Sequence, residues 1–323
     1  MVTRPRVCPV LPRRQARQPV EWRSVGTMKP LRSLLFVPGN KAAWMQKAPQ
    51  YGADALILDL EDSVPLADKS TARPLVRQAI DQLSAQRQTL YVRVNALEAG
   101  MTGDDLHAVV CAGLTGLLPP KVETVEDVHE LDTLLGYFER RAGLPLGSIE
   151  LIPTLETAKG IRHAYDIALA SPRVASIAGG AGQGGDTNRS LGYRWTKEGT
   201  ETLFIRSKVL VDARAAGIQY PLIASWFEVG DLDGLIADAQ RNRQLGYSGM
   251  VLIHPSHVGP VNRVFTPTAE ELAYYKGLLA AMEEAERRGT AAVPYQGAMV
   301  DIAMVKTARQ MLEFARAVGM EVS

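Results

Sequence analysis

Residues 55–95 read ALILDLEDSVPLADKSTARPLVRQAIDQLSAQRQTLYVRVN, and this stretch decides the fold. It opens on a short β-rich apolar run, ALILDLE, and closes on another, LYVRVN. Between them, KSTARPLVRQAIDQLSAQ carries apolar residues at helical spacing with polar residues on the opposite face. A strand, helix and strand in succession form the repeating unit of a parallel sheet. The pattern recurs from residue 33 onward in SLLFVPG, GLLPPKVE, IELIPTLE, VASIAGG, YPLIASWFE and SGMVLIHP, making eight runs in all. Helical stretches such as TVEDVHELDTLLGYFERR and TETLFIRSKVLVDARAAG lie between them. Eight such units in roughly 230 residues predict an α/β fold of the (β/α)8 (TIM) barrel kind rather than an open sheet.

Polar residues stand where the runs end: Asp59 and Glu61, Arg93 and Asn95, Lys121 and Glu123, Glu156, Glu228 and His254. In a barrel these positions share the C-terminal rim, where active sites of this fold lie. Any one of them taken alone reads equally well as a structural ion pair. The barrel is expected over residues 29–265, and residues 266–323 form an appended helical extension, either a lid or an oligomer arm. In that extension TPTAEELAYYKGLLAAMEEAERRG is an amphipathic helix, followed by a turn, an exposed Asp301 and a second helix.

The chain has 323 residues, 46% of them hydrophobic, and 36 basic against 35 acidic side chains, a composition that suits a globular protein and does not point to nucleic acid. No apolar run approaches the roughly 20 residues of a membrane span. Two cysteines, Cys8 and Cys111, are too few for a disulfide framework and fit a reducing cytoplasm. Residues 1–28 stand apart, with six arginines, four prolines and a single acidic residue, Glu21. They are expected to be a disordered tail. A start assigned upstream of a functional Met28 is favoured over a targeting signal, because the prolines oppose an amphipathic helix.

ASIAGGAGQGGDTNRSLGYRW, residues 175–195, places five glycines ahead of Asp186. A phosphate loop needs Lys and then Ser or Thr after its last glycine, whereas Asp186, Thr187 and Asn188 follow here. A carboxylate at that point repels phosphate and suits a hard cation. Glu156, at the end of the fifth run, and Asp186, after the sixth, fall on adjacent strands, and two carboxylates with water and a bidentate substrate make an octahedral Mg2+ site. Gly184 and Gly185, lacking side chains, let substrate and metal approach the backbone. Glu156 alone also reads as a carboxylate facing a helix dipole. Arg93 is the candidate grip on an anionic substrate, since its planar fork matches a carboxylate. Asp59, Glu61 and Asp62 supply supporting carboxylates, with Lys69 and Arg73 to balance them and Glu123 as a further member. His254, before a proline, reads as a turn residue or a catalytic one. His107, His129 and His163 match no zinc spacing, and neither a G-x-S-x-G elbow nor a dinucleotide fingerprint is present.

Taken together, RSLLFVPGN, GADALILDLEDSV, VRVN, LPPKVE, LETAKGI, the glycine-rich loop with Asp186, GYSGMVLIHPSHVGPVN and YQGAMVD resemble the citrate lyase beta-subunit-like proteins of the HpcH/HpaI aldolase family. The resemblance runs in order from residue 31 to about residue 315. It implies a (β/α)8 barrel of the phosphoenolpyruvate/pyruvate type, usually a homotrimer. It also implies Mg2+, or Mn2+ in its place, on Glu156 and Asp186, with Arg93 holding the substrate. An aspartate matching Asp301 would be catalytic and reach into a neighbouring subunit. The implied activity is a Mg2+-dependent carbon–carbon lyase in the cytoplasm. It would interconvert a malyl-, citramalyl- or citryl-coenzyme A thioester with a 2-oxo acid and an acyl-coenzyme A. A coenzyme A-independent aldolase and a non-catalytic subunit of a larger lyase remain as alternatives. The family often has Lys where Met250 stands, and its metal loop commonly has Asp where Ser190 stands, so the usual citryl or malyl substrate is open.

Overall fold

The computed structural model describes residues 28–180 and 182–322. Nine parallel strands lie in one sheet: β1 (Ser33–Pro38), β2 (Ala55–Asp59), β3 (Thr89–Arg93), β4 (Gly116–Leu117), β5 (Glu150–Leu151), β6 (Thr154–Leu155), β7 (Ala178–Gly179), β8 (Leu222–Ile223) and β9 (Gly249–Leu252). Their order is β5-β4-β3-β2-β1-β9-β8-β7-β6. β5 and β6 are two halves of one run, so the two ends of the sheet are the same strand and the sheet closes into an eight-stranded barrel. The split comes at Pro153, which has no N–H to donate. Around it the ladder holds, with Ile152 N–H donating to Leu117 O at 2.8 Å and Ala178 N–H to Pro153 O at 3.0 Å. The eight apolar runs expected to form strands are these eight.

Strand alternation sorts the core into two layers. Leu34, Ala55, Ile57, Tyr91, Ile152, Leu222 and Val251 point into the barrel and form its floor. Their neighbours Leu35, Leu56, Leu58, Leu90 and Val92 point outward, against the surrounding helices. The helix Lys69–Ser84 meets them with Ala72, Val76, Ala79, Ile80 and Leu83, the one-sided apolar stripe expected from its sequence. Burying each such large aliphatic side chain contributes about 1.5–3 kcal/mol. The helix Val125–Ala142 starts on a capping box between Thr124 and Asp127 and stops at Gly143 in the left-handed conformation, so its bounds are written in local sequence.

Met28 is only 6% exposed and joins the barrel floor. The expectation of a disordered tail over the preceding residues, 1–27, lies outside the described residues. Beyond the helix Val258–Phe265 the chain forms the helix Ala269–Arg287, an antiparallel hairpin of β10 (Ala292–Tyr295) and β11 (Ala298–Asp301), and the helix Ile302–Ala317. The stretch read as a turn is thus a full hairpin, joined by Gln296 and Gly297, both at positive φ. Leu278, Met282, Val300, Val305 and Ala308 give this extension a small core of its own. It docks on the barrel through the Arg243–Glu271 pair at 2.7 Å and the Tyr220 and Phe314 rings, tilted at 56° with centroids 6.0 Å apart. Among the described residues no helix is long and apolar enough to cross a membrane.

Candidate active site

The alternation that points Ile57 and Tyr91 inward also points Asp59 and Arg93 inward, two residues on and at the C-terminal rim. The two residues are paired in register across β2 and β3. Arg93 grips Asp59 with both arms of its side edge, Nε to Oδ1 and Nη2 to Oδ2, each at 2.7 Å. Asp59 is 1% exposed and also accepts from Glu61 N–H at 2.9 Å, Ser63 N–H at 3.1 Å and the Ser63 hydroxyl. Burial opposes its ionisation, but the Arg93 fork and these hydrogen bonds outweigh burial and hold the carboxyl below its usual range. The Arg93 guanidinium lies 4.5 Å from the centre of the Phe36 ring, which fixes its plane.

A second tier crosses from β2 to β4. Glu61 sits 3.0 Å from Arg93 Nη1 and accepts from Lys121 Nζ at 2.7 Å. Lys121 occupies a left-handed backbone position, φ 54°, sparsely populated by non-glycine residues, and from there its ammonium also reaches Asp186 at 3.3 Å. Lys69 is buried and donates to the carbonyls of Leu60 and Glu61 at 2.7 and 2.9 Å, pinning the turn that carries both acids. Burial pushes its pKa down.

Glu156 follows β6 and Asp186 opens the helix Asp186–Leu191. The short helix after Glu156 is capped by Thr157, whose Oγ1 accepts from Gly160 N–H at 3.1 Å, so Glu156 is left to face the cavity. Burial lifts its pKa to about 7, the nearby Glu61 and Asp186 add to this, and Arg93 and Lys121 offset it only in part. The glycine-rich loop is close-packed: a Cβ on Gly180 would stand 2.2 Å from Thr187 Oγ1, and one on Gly182 would stand 2.4 Å from the Phe227 ring. These glycines let Thr187 and Phe227 clamp the segment that carries Asp186.

The groups border a cavity of about 440 Å3 lined by Phe36, Asp59, Asp62, Ser63, Arg93, Thr154, Glu156, Gly185, Asp186, Ser225, Phe227, Val251 and Ile253, among others. Of the residues expected at the site, Arg93, Glu156, Gly185, Asp186, Asp59 and Asp62 line it, with Glu61 and Lys69 directly behind. Gly184 is not among the lining residues; it sits at φ 67° with open space around it and serves the turn. Glu123 pairs with Lys159 at 3.3 Å instead of joining the cluster, because its strand has ended and its side chain follows the outer loop. Arg73 turns to Asp105 at 2.8 Å, and Glu228 lies 3.6 Å from Lys197. His254 Nδ1 lies 2.7 Å from Ser256 Oγ and accepts from Ser256 N–H, a turn role. Asp301 is exposed and caps its helix, accepting from Ala303 N–H at 2.9 Å; it does not line this cavity. Sequence reading passed over Phe36, Phe227 and Arg189, the last paired with Asp186. For Phe36 alone there was a signal, since it shares the parity of Leu34.

Among the described residues, five carboxylates (Asp59, Glu61, Asp62, Glu156, Asp186) thus face four cationic side chains (Lys69, Arg93, Lys121, Arg189). That surplus, with Glu156 pushed toward protonation, fits one divalent cation. Among the described residues no group of three or more His, Cys, Asp or Glu could hold a metal. Two carboxylates, with water or substrate completing the shell, are what Mg2+ commonly takes.

The HpcH/HpaI aldolase/citrate lyase family model matches residues 32–255. Citrate lyase subunit beta of Leuconostoc mesenteroides subsp. cremoris is 35% identical over 286 residues, covering 88% of this chain and 93% of that protein. The L-malyl-CoA/beta-methylmalyl-CoA lyase of Cereibacter sphaeroides is 34% identical over 313 residues, covering 90% of this chain and 96% of that protein. The crystal structure of CitE from Mycobacterium tuberculosis with magnesium, acetoacetate and coenzyme A superposes with a TM-score of 0.69 at 29% identity, covering 89% of this chain and 98% of that one.

Proposed function

The chain belongs to the HpcH/HpaI aldolase/citrate lyase family, and from that premise we propose that it is a Mg2+-dependent carbon–carbon lyase acting on a coenzyme A thioester. It would interconvert a 3-hydroxyacyl-coenzyme A with a 2-oxo acid and an acyl-coenzyme A. The observation that carries this reading is the meeting of Glu156, Asp186 and Arg93 in one cavity. Relatives named for citrate lyase and malyl-coenzyme A lyase, and a CitE complex with magnesium and coenzyme A, support it.

Glu156 and Asp186 are the residues that would hold the cation. Bound there, Mg2+ would act as a Lewis acid toward the carboxylate and adjacent oxygen of the oxo acid. Arg93 spends Nε and one N–H of Nη2 on Asp59 and has Nη1 3.0 Å from Glu61, which leaves the second N–H of Nη2 for a substrate carboxylate. Asp59 and Phe36 hold that fork in place before substrate arrives, so no reorganisation is needed during reaction. Glu61 and Lys121 tie the Arg93 side of the site to Asp186. Asp301 would exchange the proton at the acyl carbon, as acid in cleavage and as base in condensation. Its exposure away from its own chain's cavity suits delivery to a second copy in a homotrimer, with exposed Met299 and Ile302 beside it (69% and 57%) as the docking edge. Cys111, a buried free thiol, suits a reducing cytoplasm.

The test is to incubate the protein with Mg2+ and malyl-, citramalyl- and citryl-coenzyme A and follow release of glyoxylate, pyruvate or oxaloacetate. Metal-dependent release from one of them is expected. No release from any, with oxo acids still bound, would refute the lyase assignment.

A further inference from the structure

The cavity has two unlike halves. Every ionisable group lining it comes from the β2, β3, β6 and β7 side: Asp59, Asp62, Arg93, Glu156 and Asp186. The remaining wall, from β1, β8 and β9, consists among the described residues of Phe36, Pro38, Ala224, Phe227, Val251 and Ile253, with Ser225 the one polar side chain. Ser225 donates its hydroxyl proton to Val251 O at 2.9 Å. The other two hydroxyls of the lining are spent in the same way, Thr154 on Pro119 O at 3.1 Å and Ser63 on Asp59. Among the described residues a ligand therefore finds free side-chain donors only on the charged side.

We propose that this wall selects a 2-oxo acid with a single carboxylate and an alkyl substituent, and turns away a dicarboxylate of the same length. The inference deepens the reading above and rests on it. With a divalent cation on Glu156 and Asp186, the five carboxylates and four cationic side chains leave one positive charge, which one substrate carboxylate neutralises. One substrate carboxylate then meets the remaining Nη2 N–H of Arg93 and the cation. A second would lie against Val251, the half-buried Ile253 and the partly exposed Phe227 with no side-chain partner, and a carboxylate that loses hydration there without one is disfavoured. An alkyl group gains there instead, by about fourfold in affinity for each buried methyl or methylene.

The experiment is calorimetric titration of the full chain in Mg2+ with glyoxylate, pyruvate, 2-oxobutyrate and freshly dissolved oxaloacetate. The last two differ by little more than a methyl exchanged for a carboxylate. Affinity is expected to rise from glyoxylate to pyruvate, and 2-oxobutyrate should bind at least about tenfold tighter than oxaloacetate. Ile253→Lys, which sets an ammonium in the half-buried apolar wall, should narrow or reverse that gap. Oxaloacetate binding as tightly as 2-oxobutyrate to the native chain, or an unchanged gap in Ile253→Lys, would overturn the inference. Absence of Mg2+-dependent binding by all four acids would instead sink the underlying oxo-acid reading.

Discussion

Glu156 ties metal binding to pH in a way that can be worked out beforehand. Its pKa stands at about 7, chiefly through burial and then through Glu61 and Asp186. A cation must displace the proton, so apparent Mg2+ affinity scales with the ionised fraction. That fraction is about nine-tenths at pH 8 and about one-tenth at pH 6, so the Mg2+ dissociation constant should rise about tenfold between them. A carboxylate at its ordinary 4.5 would show almost no change over that range. Stability carries the matching sign. The folded pKa lies above the unfolded value, so the metal-free protein loses stability as pH rises from 4.5 through about 7, by at most about 3 kcal/mol. Mg2+ should accordingly raise the melting temperature more at pH 8 than at pH 6. Titration calorimetry in two buffers of different ionisation enthalpy checks both the affinity and the proton released, about half a proton at pH 7. Glu156→Gln should bind Mg2+ weakly and without this pH dependence. A flat dissociation constant across the range in the native protein would refute the reasoning.

Asp301→Asn keeps a side chain that caps a helix well, so fold and Mg2+ affinity should be unchanged while thioester turnover falls by two orders of magnitude or more, about the worth of a positioned acid–base group; wild-type turnover would remove Asp301 from the chemistry. Asp59→Ala leaves the half-buried Arg93 without its bidentate partner and should cost about 3 kcal/mol in urea unfolding, together with oxo-acid binding. A loss under 1 kcal/mol, about that of an exposed pair, would show that Glu61 alone can neutralise Arg93. Gly249→Ala would put a methyl 1.8 Å from Leu31 O at the seam where β9 closes on β1, and should lower the yield of folded protein sharply, as seen by circular dichroism and size exclusion.

The order of strands and helices was legible because period-two and helical spacing are local properties, written in runs such as ALILDLE and LYVRVN. The ends of those runs already set Asp59, Arg93 and Glu156 on one rim. Four features were not local. Closure of the sheet through a strand broken at Pro153 depends on hydrogen bonds between runs far apart in sequence. The pairing of Arg93 with Asp59, and of Lys121 with both Glu61 and Asp186, depends on which strands become neighbours. Glu123 and His254 have the same rim position in the sequence as Glu156, but the loop that follows each one turns its side chain elsewhere. The lift of the Glu156 pKa and the apolar wall of Phe227, Val251 and Ile253 come from burial and from charges brought together by the closed barrel. Residue type and spacing determined what this chain was able to build, and long-range packing decided which of its many rim residues share one cavity.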